Sequence, residues 1–395
     1  MKYFYLLLTG LFLINNAIGQ WIPQYSNSSQ VLYSVHFSDP NTGYAVGGYW
    51  PFGMTVNKTS NGGINWTYQI IENSSGSLRS VFSIDDNIAY AVGDFGTILK
   101  TTNGGILWTL KTSGTTNGLN SVYFVNSNTG YAVGYNGIIL KTTNGAENWT
   151  MLTSGTSGDL SSICFVDSNM GFAVGMNGTI LKTTNGGNSW TSQTSGVTRN
   201  LSSVSFADEN TGYVVDGDDI LLKTTNGGNL WTIQHSQIGA LYSIYFINTN
   251  LGFAVGSNGI IRKTTNGGTY WVIQPTGTMA PLYSVYFTDE NTGYVVGDAG
   301  HMFKTTNGGN PLGTNDLLSK SNSLKIYPNP SSDIITIEIT CKGHLSILNL
   351  NSQQLLQQTI TEPTTTIDVS GLKSGVYFVR VTGERTVKVG KFVKQ

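Results

Sequence analysis

The sequence predicts an all-β chain: a seven-bladed β-propeller of four-stranded blades followed by a small C-terminal β-sandwich. Three observations predict it. The pattern L-x-S-[VI] opens at Leu32, Leu78, Leu119, Leu160, Leu201, Leu241 and Leu282, with spacings of 46, 41, 41, 41, 40 and 41 residues. Each copy holds four β-like runs separated by turn residues, and four strands in a repeat of that length are the signature of a propeller blade. The repeat stops before residue 324, where alternating apolar runs take over. Composition agrees, since 49 glycines in 395 residues and only 11% charged residues argue against long charged helices, while 39% hydrophobic residues supply a core. A formal net charge of -1 points to no polyanionic partner.

The first element reads as a leader. Lys2, the apolar run from Tyr3 to Ile14 and the small residues of Ala17-Ile18-Gly19 have the form of a secretory signal peptide over residues 1–19. The apolar run falls short of the ~20 residues that a membrane span needs, and no second candidate span follows. Cys164 and Cys341 fall in separate predicted domains, so both are expected as unpaired thiols, with Cys164 filling a core.

The propeller is expected over residues 20–316. In the third copy the strands read Leu119 to Val125, Gly130 to Gly134, Ile138 to Thr142 and Trp149 to Thr153, rich in β-branched and aromatic residues. Between them stand Asn126-Ser127-Asn128-Thr129, Tyr135-Asn136-Gly137 and Asn144-Gly145, which are turn residues. The one long spacing comes from extra residues between Gly47 and Lys58. Six copies place a Trp five residues after the Asn of K-T-[TS]-N-G, at Trp66, Trp108, Trp149, Trp190, Trp231 and Trp271. The seventh has Leu312 there and no strand to follow, yet Trp21-Ile22-Pro23-Gln24 is similar to Trp271-Val272-Ile273-Gln274. The N-terminal segment is therefore expected to supply the outer strand of the seventh blade and close the ring.

The run T-x-N-x-G-x-x-W, as at Thr101, Asn103, Gly105 and Trp108, resembles the Asp-box (BNR) repeat of sialidase-like propellers, with Asn in place of Asp and Ala146 in place of the second Gly in the third copy. The whole repeat, with N-T-G-Y-A-V-G ahead of it, is similar to the propellers of the photosystem II stability and assembly factor family over residues 32–312. The resemblance implies a fold and is nearly silent about activity, because one fold hosts many functions. Asn61, Asn103, Asn144, Asn185, Asn226, Asn266 and Asn307 are read as structural. Asn and Gly tolerate positive φ, Thr and Asn side chains satisfy backbone groups, and the Trp packs between blades.

Residues 317–323 read as a polar linker and 324–395 as the sandwich, with alternating runs at Ile334 to Ile339, Leu345 to Leu350, Thr366 to Val369 and Val376 to Val381. Tyr327-Pro328-Asn329-Pro330, the segment Asp368 to Val381 and the final Lys391-Phe392-Val393-Lys394 resemble the type A C-terminal sorting domain of the type IX secretion system. The resemblance implies the type IX machinery as a partner and a secreted or cell-surface destination. This segment holds eight Lys/Arg against five Asp/Glu, whereas residues 20–323 hold twelve against seventeen, so the tail is the basic part.

Catalytic chemistry is thinly represented. A sialidase needs an arginine cluster for the substrate carboxylate, and the propeller offers Arg79, Arg199 and Arg262 at unrelated repeat positions. Asp94, Asp216, Asp218, Asp219 and Asp298, all after the second strand, could serve a glycosidase, but exposed turn acids explain them equally well. His36, His235, His301 and His344 lack ligand spacing, so no metal or other cofactor is expected. The repeat lysines Lys58, Lys100, Lys141, Lys182, Lys223, Lys263 and Lys304 stand one per blade and form no nucleic-acid patch.

The copies disagree most usefully after their first Leu, at Tyr33, Arg79, Asn120, Ser161, Ser202, Tyr242 and Tyr283, and the first copy adds Tyr49-Trp50-Pro51-Phe52. Ring closure would gather Tyr242, Tyr283 and Tyr33. Tyr33, Tyr49, Trp50, Phe52, Tyr242, Tyr283 and Arg79 are therefore the candidate ligand-binding residues, an aromatic patch for a surface glycan or a protein chain; the plainer alternative is tyrosines packed between blades. The sequence thus reads as an exported, non-catalytic binding or adhesion module. Two other readings stand beside it: an assembly or stability factor holding a partner protein, and a glycan hydrolase of the Asp-box type.

Overall fold

The computed structural model describes residues 21–49, 51–71, 76–235, 239–310, 324–338, 343–349, 353–382 and 387–395. The expected leader, Trp50, Cys341 and the 317–323 linker lie outside the described residues. The chain divides into two compact units, one ending at Asn310 and one beginning at Pro311.

Among the described residues of the first unit, seven four-stranded antiparallel sheets form the blades. In blade three the strands are Leu119–Phe124, Gly130–Gly134, Ile139–Thr142 and Thr150–Leu152, so the fourth begins just after Trp149. Inner strands of successive blades touch around a full circle, with Leu282–Phe287 of blade seven meeting Leu32–Phe37 of blade one. The extra residues of blade one lengthen its central hairpin, Gly43–Tyr49 and Gly53–Thr59.

The six-residue inner strand L-x-S-V-x-F buries its Leu, Val and Phe. The Phe ring lies over the first Gly of strand two, where a Cβ on Gly130 would come within 2.5 Å of Phe124. Blade two replaces both partners, pairing Ser83 with Ala89, because loss of the ring makes room for the methyl.

The Ser of this motif bonds one blade to the next. Its Oγ accepts the Val or Ile N–H of the following inner strand: Ser34 from Val81 and Ser80 from Val122 (3.2 Å each), Ser121 from Ile163 and Ser162 from Val204 (3.3 Å each). Ser203 accepts from Ile244 at 3.2 Å, Ser243 from Val285 at 3.4 Å, and Ser284 from Val35 at 3.2 Å, which completes the circle. The inner strand has no sheet neighbour on its channel side, so these N–H groups would otherwise lack partners.

The repeat lysines tie blades together as well. Each ammonium lies 5.3–5.9 Å from the centre of an aromatic ring in its own blade. Lys58, Lys100, Lys141, Lys223 and Lys304 donate to Gly104, Gly145, Gly186, Gly267 and Gly62 carbonyls in the next blade at 2.5–2.8 Å. In blades four and six that ring is Phe172 or Phe253 rather than Tyr, and Lys182 and Lys263 donate to Asn229 and Asn310 side chains.

At the Asp-box-like turn of blade two, the Thr101 hydroxyl donates to Asn103 Oδ1 (3.1 Å) and accepts from Gly105 N (2.8 Å), while Asn103 Oδ1 accepts from Leu107 N (3.0 Å). The expectation that this Asn uses a positive φ is corrected. The left-handed residues are the two that follow, Gly104 at 69° and Gly105 at 79°, with Ala146 at 68° in blade three. The Asn serves as an acceptor, which its ordinary backbone conformation permits.

Blade seven takes its outer strand from the N-terminal segment: Ile22 pairs with Lys304 and Pro23 with Phe303. Trp21, 1% exposed, stands edge-on to Phe253 at 6.1 Å and Phe287 at 5.8 Å. The following loop bonds to both sides of the seam. Ser26 Oγ donates to Gly300 O at 2.8 Å, Asn27 Nδ2 donates to Trp66 O at 2.9 Å, and Asn57 Nδ2 donates to Ser26 O. Asn57 is fully buried where blades two to five carry Leu99, Leu140, Leu181 and Leu222.

In the second unit a three-stranded sheet, Lys325–Tyr327, Ile334–Glu338 and Thr364–Asp368, packs on a four-stranded one. The latter is ordered Gln354–Ile360, Gly343–Leu348, Gly375–Thr382, Val387–Lys394. Ile335, Ile337, Leu345, Ile347, Val379 and Phe392 form the core between them. Gln354–Ile360 escapes the sequence pattern because it is an edge strand exposed for most of its length.

Trp21→Ala is expected to destabilise the ring by about 3–5 kcal/mol, the usual cost of truncating a buried Trp. Equilibrium unfolding of the variant checks this, and wild-type stability would show that the seam does not depend on the N-terminal segment.

Candidate functional site

Four of the candidate residues come together where the inner strands begin. The Tyr242 and Tyr283 rings stack at 5.5 Å, Tyr283 and Tyr33 lie 5.3 Å apart, and the Arg79 guanidinium sits 4.5 Å from the centre of Tyr33. Arg79 Nε donates to Asp94 Oδ1 at 3.0 Å and Nη2 to Oδ2 at 3.4 Å. Burial would lower the Arg79 pKa, but the hydrogen bond and charge of Asp94 outweigh it and hold the pKa up. The result is a continuous strip over blades six, seven, one and two. At the same position in blades three and five, Asn120 and Ser202 bridge to the next blade through Leu160 O and Leu241 O, each at 2.9 Å.

Within the strip Tyr283 lies between Tyr242 and Tyr33, and Tyr33 lies between Tyr283 and Arg79. The faces of Tyr283 and Tyr33 are thus engaged within the strip, and their edges and hydroxyls remain for a ligand, whereas Tyr242 at the end of the strip has a ring neighbour on one side. Burial first, then the charge of Asp298, raises the Tyr283 pKa and keeps its phenol protonated. Tyr49 and Phe52 pair edge-to-face with each other at 5.1 Å and are 42% and 57% exposed. No ring contact joins them to Tyr33 among the described residues, so the structure divides the expected patch in two.

The loop acids do not form one group. Asp94 is engaged by Arg79. Asp216 is corrected from an exposed turn acid to a carboxylate that is 1% exposed. It stands where other blades have a Gly whose Cβ would strike the strand before it, at 2.0 Å from Gly118 O in the case of Gly134. Its Oδ1 accepts from Ile220 N at 2.7 Å and Asp218 N at 3.0 Å, and Arg199 lies 3.9 Å from its Oδ2. Arg199 also reaches Asp218 at 3.4 Å. Among the described residues no cluster of His, Cys, Asp or Glu is placed to hold a metal.

A second feature escaped the sequence reading. The fifth residue of each inner strand, His36, Phe82, Tyr123, Cys164, Ser205, Tyr245 or Tyr286, lines a central cavity of about 600 Å³. His36 Nδ1 lies 2.9 Å from Ser83 Oγ and accepts from Ser83 N at 3.2 Å, an arrangement allowed by the Phe-to-Ser change in blade two. Burial lowers the His36 pKa to about 3. Cys164 is a free thiol that packs against the apolar cluster between blades four and five and also borders this cavity, and burial pushes it up to about 12. The signal was the fifth column of the aligned repeats, aromatic in most copies and small in two.

In the second unit Tyr327-Pro328-Asn329-Pro330 leads into the outer edge of the last strand. Asn329 Oδ1 accepts from Val393 N at 2.9 Å and its Nδ2 donates to Lys391 O at 3.0 Å. Ser331 continues the pairing, its N–H donating to Val393 O and its carbonyl accepting from Gln395 N, both at 2.9 Å. Asn329 and Ser331 therefore act as a short substitute strand over an open edge.

The first unit is a ring of Asp-box-type blades, and the class it defines is the β-propeller. The chain belongs to the photosynthesis system II assembly factor YCF48 family, whose profile matches residues 71–161 and 145–279. The secretion system C-terminal sorting domain matches residues 325–395, which marks the chain for export. The fold is also similar to YCF48 bound to D1 peptide, at 18% identity and a TM-score of 0.62 over 73% of this chain and 95% of that one. YCF48 from Cyanidioschyzon merolae is similar at 22% identity and a TM-score of 0.60, over 72% and 98% of the two chains. Comparison with curated proteins gives no match. Among the described residues no helix is long and apolar enough to cross a membrane.

Two outcomes follow. With its pKa lowered from 6.5 to about 3, His36 is protonated first in the unfolded chain. Its contribution to stability is therefore lost as pH falls below about 6.5, by at most about 1.4 kcal/mol per pH unit. Urea unfolding across that range should show His36→Phe with a shallower loss than wild type, and parallel curves would contradict the assignment. Asn329→Ala, which uncovers the terminal strand, should lower the secreted fraction and raise the cell-associated one, as read by immunoblot.

Proposed function

We propose that the chain is an exported, non-catalytic binding module that holds a partner polypeptide on the Tyr242–Tyr283–Tyr33–Arg79 strip. In this reading residues 1–19 direct passage through the inner membrane, the type IX machinery reads residues 324–395 beyond a linker at 317–323, and the propeller of residues 20–316 works outside the cell. The strip carries the proposal: it is continuous across the ring closure and replaces side chains that elsewhere spend themselves on bridging blades. An extended platform for stacking sugars needs successive open ring faces, whereas a polypeptide can use the edges and phenol hydroxyls that Tyr283 and Tyr33 present. A YCF48 of the same fold is bound to a peptide, which supports a polypeptide partner here. The engagement of Asp94 by Arg79 and the separation of the arginines support a role without turnover.

Peptide and glycan arrays probed with the secreted protein, with product release assayed in the same wells, test this. Peptide binding without release is expected, weakened about tenfold or more in Tyr283→Ala at an unchanged melting temperature. Release of product would refute the non-catalytic role, and full binding by Tyr283→Ala would remove the strip.

A further inference from the structure

The central cavity is a separate feature, since none of the strip's four side chains lines it. Five rings in its wall form a connected arc. Tyr123 lies 5.1 Å from Phe82, Phe82 4.2 Å from His36, His36 4.6 Å from Tyr286, and Tyr286 5.2 Å from Tyr245. The arc breaks at blades four and five, where Cys164 and Ser205 put small side chains in the ring positions.

The rings on both sides of the gap, and Tyr286 next to them, are held in place. Tyr123 donates its hydroxyl to Phe165 O at 3.0 Å, Tyr245 to Phe287 O at 3.2 Å and Tyr286 to Phe37 O at 3.0 Å, each in the following blade. Their hydroxyls are thus taken, and what they turn to the cavity is aromatic surface. Among the described residues no Asp, Glu, Lys or Arg lines the space, whose polar side chains apart from the tyrosines are serines, Asn126 and His36, and burial keeps His36 neutral at ordinary pH. A charged ligand would lose its hydration without gaining a counter-charge. The volume of about 600 Å³ falls within the range of small-molecule sites.

We propose that the channel binds a flat, uncharged aromatic molecule, seated over Cys164 and Ser205 between the rings of Tyr123 and Tyr245. The molecule supplies the ring that the arc lacks, and the Ser205 hydroxyl, whose oxygen accepts from Phe246 N at 3.0 Å, keeps its proton for a polar atom of the ligand. This site is independent of the partner-binding strip.

Indole titrated into the full secreted chain tests it. Saturable one-to-one binding is expected in calorimetry, with the ring protons of Tyr123 and Tyr245 shifting in parallel by NMR. Ser205→Phe and Cys164→Phe each place a ring in the gap, and each should weaken indole binding at least tenfold. Tyr283→Ala should bind indole as wild type does. The proposal is overturned by absence of saturable binding, by unmoved Tyr123 and Tyr245 resonances, by undiminished binding in either folded Phe variant, or by loss of binding in Tyr283→Ala. Should one Phe variant fail to fold, the other and the wild-type NMR shift still decide.

Discussion

A single blade cannot bury its own faces, and this constraint governs the first unit. Every apolar cluster of the ring straddles two blades: Tyr90 of blade two packs with Phe124 and Leu140 of blade three, and Tyr294 of blade seven packs with Phe37 and Trp66 of blade one. Burial therefore becomes favourable only when neighbours are in place, and the last neighbour of blade seven is blade one. The Ser relay and the lysine ties follow the same path, from one blade to the next and finally from Ser284 back to Val35. Closure is cooperative because hydrogen bonds and apolar burial share one set of interfaces.

The seam between blades seven and one differs chemically from the others. Asn57 stands where blades two to five carry Leu, and Asn27 stands where blades two to four carry Gly114, Gly155 and Gly196, so the N-terminal segment is positioned by directional bonds in addition to the buried indole of Trp21. A short strand of two residues, one of them Pro23, would hold register poorly alone. Polar bonds at fixed points supply that register, and Trp21 supplies the burial.

Much of this fold was legible because the repeat is written seven times. The blade strands, the alternating runs of the sandwich and the likeness between Trp21-Ile22-Pro23-Gln24 and Trp271-Val272-Ile273-Gln274 are all local signals. What stayed hidden depends on neighbours. The Ser of L-x-S looks like one more small strand residue until the next blade's unpaired N–H is placed beside it. The lysines look like solvated charge until a carbonyl of the following turn appears at their ends. Asp216 looks like a turn acid until its partners are placed beside it, for its carboxylate takes the backbone N–H groups of Asp218 and Ile220 and lies near Arg199. Of the candidate strip, the three tyrosines could be read from the ring order, whereas the Arg79–Asp94 pair and the stacking of the rings on one another could not.

The inner strand also explains where function can reside on the axis. Of L-x-S-V-x-F, the Leu, Val and Phe are consumed by packing and the Ser by the bond between blades. Positions two and five vary most among the copies, and although some of their side chains also bridge blades, they do so with different groups in different blades. Position two carries the tyrosines and Arg79; position five carries the arc of rings and its gap. The regularity that conceals specific chemistry elsewhere in the propeller concentrates it in these two columns, one along the strip and one lining the cavity. A change at either column alters what the axis can bind, while the Leu, Val and Ser positions continue to hold one blade to the next.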